Sequence, residues 1–304
     1  MKLTHLVCPK LTPHPNPLPE ERGWRSFGVR SLVVTLLVIV CAGCVTTGPD
    51  GEPRRFNLLS TQQEIELGKK LSAEVEQKEL VHSDATLQQY VRDIGELLAR
   101  HSSRQDVPYA FTVIDNPDVV NAFALPGGHM YVYTGLILLC RSEGELASVM
   151  GHEIGHVAGH HHGENLTRTM IAQLGQDFAA SMTSNEIARQ AVNYGLGFGL
   201  LKFSRGQELE SDRQGMRILV QAGYNPVSMV AFMENMLQQE QQSGAARPLP
   251  FFSSHPATVR RVEELKLLLA EYPADVRVDL NPVHAEFIEQ IHPLARTTRR
   301  QKQN

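Results

Sequence analysis

Tryptophan occurs once in 304 residues, and no basic stretch is interleaved with aromatic side chains. The net charge is -4. Both observations argue against a nucleic-acid partner, which demands a cationic surface. No segment repeats at a fixed period, which excludes solenoids and propellers. No apolar run reaches the roughly 20 residues of a membrane-spanning helix. The glycine cluster Gly195-Leu196-Gly197-Phe198-Gly199 follows no predicted strand. It therefore does not read as a nucleotide-binding loop, and flexible backbone near a substrate groove is the better expectation. What remains is 42% hydrophobic and 20% charged, which suits one sizeable globular domain with at most a small appendage.

The apolar run that does occur, "SLVVTLLVIVCAGC" at 31–44, follows Arg25 and Arg30 and ends in small residues. It has the length of a signal-peptide core. Cys41-Ala42-Gly43-Cys44 resembles a bacterial lipobox, with Cys41 where leucine is usual. The resemblance implies cleavage before Cys44 and a lipid on its thiol. Val45, rather than aspartate, follows, which by analogy with lipoprotein sorting favours the outer membrane. Residues 1–28 look like translated intergenic sequence, with Val29 as an alternative start. Residues 1–43 are thus expected to be a signal and 44–59 a lipidated tether. Of the four cysteines, only Cys140 is then left as a free thiol, expected to be buried, and no intramolecular disulfide is available.

Apolar periodicity predicts helices over 60–78, with Ser60 or Thr61 as cap, and over 84–101. "YAFTVIDNP", 109–117, alternates as a strand. "NAFALPGGHMYVYTGLI", 121–137, contains a Gly-Gly turn and then a second strand, Met130 to Tyr133. The edge near 128–134 is expected to be free to pair with an extended substrate. From Glu143 onward the chain reads as helix. Breaks are expected near Gly163, near Gly195–Gly199, at Gly223–Pro226 and across Gln241–Pro250, with a solvated tail over 296–304. The expected class is α+β, mainly α, with a small sheet beside a metal-binding helix.

That helix is "ASVMGHEIGHVAGHHHGEN", 147–165, with five histidines and two glutamates. His152-Glu153-Ile154-Gly155-His156 is an H-E-x-x-H pattern. Positions i and i+4 share one helix face about 6 Å apart along the axis, so two imidazoles can meet one Zn²⁺. Glu153 sits beside the first of them, where a carboxylate can take a proton from an attacking water. A catalytic zinc usually has a third protein ligand and an open position. Two candidates stand. His152 to His162 fits the metzincin string, with Gly159 and His162 as the local third ligand and Met170 or Met182 for a Met-turn. Alternatively Glu208 and Asp212, at i and i+4 in "RGQELESDRQGMRIL" with Gly215 on the same side, offer a distant carboxylate.

"NAFALPGGHMYVYTGL", "ELASVMGHEIGHVAGHH", "ELESDRQGMRIL" and "SSHPATVRRVEEL" occur in that order. The series resembles the zinc metallopeptidase family of the CAAX prenyl proteases, HtpX, the mitochondrial Oma-type proteases and the periplasmic BepA-type proteases, over about residues 60–270. The resemblance implies a zincin-type domain holding one Zn²⁺ per chain on His152, His156 and Glu208, with Glu153 as general base and Asp212 assisting. It further implies His255, of a His-Pro element, as a regulatory fourth ligand with Arg261 six residues on. If the helix continues past Gly159, His160 lies a turn beyond reach and His161 and His162 point elsewhere. Residues 271–304 are read as a C-terminal extension.

The implied function is a zinc endopeptidase, lipid-anchored at the periplasmic face of the outer membrane. It would act on misfolded or misassembled envelope proteins, with the outer-membrane assembly machinery as partner, and resemble the short members without a helical-repeat domain. A latent or inactive lipoprotein chaperone or scaffold, a metzincin-type protease using His162, and a zinc hydrolase of a non-peptide substrate are the alternatives.

Overall fold

The structure, a computed structural model, describes residues 57–182, 202–243, 251, 254–255, 259–276 and 284–296. Contacts divide the chain into Met1–Arg54 and Arg55–Asn304, and every described residue belongs to the second unit. The expected signal, Cys44, the tether as far as residue 56, the glycine cluster at 195–199, the segment 244–250 and the tail from 297 lie outside the described residues. Among the described residues no helix is long and apolar enough to cross a membrane.

The first two helices form where the periodicity puts them. In α1, Thr61–Lys78, the Ser60 hydroxyl accepts the Gln63 N–H and the Gln63 side chain accepts the Ser60 N–H. This capping box satisfies two otherwise orphaned donors. In α2, Ala85–Ala99, Asp84 caps the Leu87 N–H, and the predicted apolar stripe Leu87, Val91, Ile94 and Leu98 is buried. Each such side chain contributes about 1.5–3 kcal/mol on leaving water.

The sheet has three strands: β1, Ala110–Ile114; β2, Ala122–Ala124; and β3, His129–Tyr133. Their order is β1-β3-β2. β1 runs parallel to β3, with Ala110 opposite His129, and β2 runs antiparallel to it, with Ala124 opposite Met130. This corrects the expected free edge at 128–134. β3 is the central strand, with its backbone committed on both sides, and the edge strands are β1 and the fully buried β2. β2 escapes the sequence reading because three consecutive buried residues show no alternation.

After a short helix α3, Thr134–Leu139, comes the metal-motif helix α4, Glu143–Ala158, capped by Ser142. Every residue from Gly144 to Ala158 is buried, the mark of a helix surrounded by protein. Helices α2, α6 (Arg205–Gln221) and α7 (Val227–Ser243) and strand β2 pack around it. Helices α8, Val259–Glu271, and α9, His284–Arg296, complete the fold. Cys140 is a buried free thiol, as expected. The turn before α7 carries Gly223 at φ 85°.

One predicted break is displaced. The helix ends at Gly159, and His160 adopts φ 56°, the left-handed region. Helix α5, His161–Met182, then starts and runs through Gly163. The chain therefore turns three residues earlier than composition suggests, on a histidine rather than a glycine. A non-glycine residue there costs about 1–3 kcal/mol. The His160 Nδ1 lies 3.5 Å from the buried Glu64 carboxylate, a contact that offsets part of this cost.

The expected α+β, mainly helical architecture with a small sheet against the H-E-x-x-H helix is the one observed.

Candidate metal centre

Helices α4 and α6 cross at nearly bare backbone. A Cβ on Gly155 would lie 2.8 Å from the Ser211 carbonyl oxygen, and one on Gly215 would lie 2.9 Å from the His152 nitrogen. Only hydrogen in place of those side chains allows such an approach. The crossing carries Glu208 and Asp212 of α6 to the histidines of α4. The two segments are far apart in sequence, and the contact is a consequence of packing.

One ligand atom from each of His152, His156, Glu208 and His255 lies within 4.8 Å of the others. The His152 and His156 Nε2 atoms are 3.0 Å apart. Glu208 oxygens lie 3.5 Å from each. His255 Nδ1 lies 3.3 Å from His152 Nε2 and 3.1 Å from Glu208 Oε1. Four donors at about 2.0–2.1 Å from one tetrahedral ion stand about 3.3 Å from one another. The observed spacings match this value. Imidazole nitrogens and one carboxylate are also the donor chemistry of a zinc site. The residues present thus fit a single divalent ion.

Arg261 holds this set from the far side. Its guanidinium forks onto Asp212, Nε to Oδ2 at 2.9 Å and NH2 to Oδ1 at 2.6 Å, and its NH1 lies 2.7 Å from Glu208 Oε2. Asp212 Oδ1 in turn lies 2.9 Å from His152 Nδ1. A carboxylate on the rear nitrogen of a ligating histidine fixes its tautomer and ring orientation. Asp212 thus meets the rear nitrogen of His152, not the Nε2 that faces the other donors.

Burial raises the Glu153 carboxyl above its ordinary range, against the pull of the neighbouring histidines. Burial works against ionised Glu208 as well, but His255, His152 and His156 outweigh it and hold that carboxyl well below the usual range. Burial would press His152 down, yet Asp212 and Glu208 raise it to about 9. His156, enclosed and beside other imidazoles, is held well below its ordinary value.

His162 lies outside the cluster. Its ring centroid is 6.3 Å from that of His156. Burial lowers its pKa to about 4, partly countered by Glu64 and the Ala124 backbone. Met170 is 43% exposed, which does not suit a residue beneath a metal. His161, expected to point away, does the reverse: its Nδ1 is 2.9 Å from His156 Nδ1. The left-handed turn at His160 swings it back.

Two features escaped the sequence reading. Phe203 stacks on His156 with centroids 3.7 Å apart. Arg104 donates to the Val157 carbonyl at 3.1 Å and pairs with Glu64 at 2.6 Å. It thereby adds a side-chain donor to a carbonyl in the last turn of α4 that also accepts the His160 N–H at 3.1 Å. Neither belongs to a spacing pattern, and only contact reveals them. Cys44 lies outside the described residues.

Comparison with known proteins places these features in context. The description "Peptidase family M48" matches residues 85–268. The chain is 29% identical over 255 residues to the beta-barrel assembly-enhancing protease of Escherichia coli K12, covering 78% of this chain and 52% of that protein. It is 31% identical over 227 residues to the mitochondrial metalloendopeptidase OMA1 of Schizosaccharomyces pombe, covering 73% of this chain and 66% of that protein. The chain thus spans about half the length of the beta-barrel assembly-enhancing proteases it matches.

Proposed function

The chain belongs to peptidase family M48, and from that premise we propose that it is a zinc-dependent endopeptidase of the cell envelope that degrades misfolded or misassembled envelope proteins. The observation that carries this reading is the convergence of the His152, His156 and Glu208 donors with the Glu153 carboxylate alongside. Bound there, a zinc ion supplies Lewis-acid polarisation of the substrate carbonyl and of the attacking water.

Glu153 accepts the proton of that water and passes it to the leaving nitrogen. Burial raises its pKa, which favours the acid form from which the proton is handed on. The Ala124 N–H holds Oε2 at 2.9 Å, leaving Oε1 as the working oxygen. Asp212 keeps His152 aimed, and Arg261 ties Asp212 to Glu208.

His255 is a latch in this reading. Its Nδ1 stands in the fourth donor position, and its Nε2 lies 3.3 Å from Glu153 Oε1. One ring therefore meets both the open position and the base. Just before His255, the Phe251 N–H donates to the carbonyl of Val120, in the loop that leads into β2, at 3.2 Å. Substrate entry requires this segment to move.

A lipid on Cys44 tethers the enzyme to the periplasmic face of the outer membrane, with the outer-membrane assembly machinery as partner. The relative named for β-barrel assembly supports that placement. A fatty-acid probe that labels wild type but not Cys44→Ser tests the tether.

The position of His255 also favours a second reading, a proteolytically silent scaffold. Cleavage of an unfolded barrel protein by His255→Ala, and by His255→Ala/Glu153→Gln, separates the two. The peptidase reading expects zinc in both and cleavage only in the first. Zinc in both with cleavage in neither supports the scaffold.

A further inference from the structure

We propose that His161 and Glu210 form a relay that holds His156 in its metal-binding tautomer, a counterpart to the Asp212–Arg261 pair behind His152. The inference rests on His156 being a metal ligand.

His156 presents Nε2 to the cluster and Nδ1 to His161. To ligate through Nε2, a neutral imidazole must carry its proton on Nδ1. That proton needs an acceptor, and His161 Nδ1 lies 2.9 Å away. To accept, His161 must carry its own proton on Nε2. That nitrogen lies 3.3 Å from Glu210 Oε2, a charged acceptor. The arrangement Glu210 carboxylate, His161 N–H, His161 Nδ1, His156 N–H is self-consistent at every link. In the opposite tautomer the His156 proton would occupy Nε2 and point into the donor cluster. The Ser211 hydroxyl is 3.3 Å from the same His161 Nδ1, a longer approach than that of His156.

The backbone is shaped for this contact. His160 takes the left-handed conformation that returns the chain. A Cβ on Gly159 would fall 2.4 Å from His161 Nε2 and 2.6 Å from its Cε1, so the ring fills the space glycine leaves. His161 is 1% exposed. An imidazole placed there, rather than an apolar side chain, needs a polar reason. His161 is a positioning residue: it acts through His156 and touches no substrate.

Loss of an outer partner of a metal-bound histidine typically weakens metal binding about 10- to 100-fold. Zn²⁺ dissociation constants of the full chain, measured by chelator competition, test the relay, with the visible spectrum of the Co²⁺-loaded protein as a second readout. His161→Phe keeps a ring but offers no acceptor, and it should fall in that range with a shifted Co²⁺ band. His161→Asn sets Oδ1 near the place of Nδ1 and should recover most of the affinity. Glu210→Gln, at a partly exposed position, should fall between. Wild-type affinity in His161→Phe, or equal losses in the Phe and Asn variants, overturns the relay and leaves His161 a packing residue. A wild-type chain that takes up no metal overturns the metal centre itself, and the relay with it.

Discussion

The backbone N–H of Ala124 donates to Oε2 of Glu153 at 2.9 Å. The shortest strand of the sheet thereby fixes the carboxylate of the helix packed against it. Because Ala124 lies on the edge strand, its N–H is free of ladder duty and faces outward. The sheet serves the site by orienting one oxygen. Glu153→Asp retains a base but draws it back by a methylene. It should keep the metal and lose about 100-fold in turnover, measured on a peptide substrate in a His255→Ala background. Turnover equal to Glu153 would show that the anchored geometry is unimportant.

The two candidates for the third ligand differ in a metal assay. Glu208→Ala removes a carboxylate 3.5 Å from both histidine nitrogens. It should purify with little or no zinc. His162→Ala should retain one ion per chain. Metal analysis giving the reverse pattern would restore the metzincin assignment.

Removing the latch should raise activity. His255→Ala frees the fourth donor position and the Glu153 oxygen together, so basal proteolysis should increase while zinc remains bound. A fall to the level of Glu153→Gln would instead make His255 a group that acts on substrate.

The close crossing of α4 and α6 is sensitive to a single methyl. Gly155→Ala places a Cβ against the Ser211 carbonyl, a backbone atom that cannot rotate away. The helices must separate, at a cost of about 1–3 kcal/mol, and Glu208 moves with α6. Both a lower denaturation midpoint and weaker zinc retention are expected. A stability loss with unchanged zinc affinity would uncouple the crossing from the site.

The clamp at the far end of α4 predicts acid sensitivity. Burial opposes ionisation of Glu64, but hydrogen bonds and charge from His160, Arg104 and Asn57 outweigh it and lower its pKa below 4.5. A carboxylate with a depressed folded pKa stabilises fully above its unfolded value, and that stability is lost as pH falls through the folded one. Glu64→Gln should cost about 3 kcal/mol near neutrality, by leaving buried Arg104 with only the longer contact to the exposed Asp106 at 3.4 Å. Its urea midpoint should then fall less steeply than wild type between about pH 5 and pH 3. Parallel acid limbs in the two proteins would contradict this role for Glu64.

Local rules were enough for the helices that carry the site. The H-E-x-x-H spacing puts His152 and His156 on one face whatever surrounds them, because 3.6 residues per turn is a property of the backbone. The Ser60 cap and the stripe from Leu87 to Leu98 are equally local. The sequence order of four motifs further implied Glu208, Asp212, His255 and Arg261 by resemblance. Tertiary structure alone decided what those groups touch. Strand β2 is too short to show a period, so its edge position and the bond from Ala124 to Glu153 follow only from pairing with β3. The turn at His160 could not be read from a run of three histidines, since the Glu64 carboxylate that its side chain approaches comes from nearly a hundred residues away. With it went the position of His161 behind His156 and the clamp of Arg104 on Val157. Periodicity fixes which way a side chain faces along its own element. Only the packing of distant elements, here made close by Gly155 and Gly215, fixes what it meets.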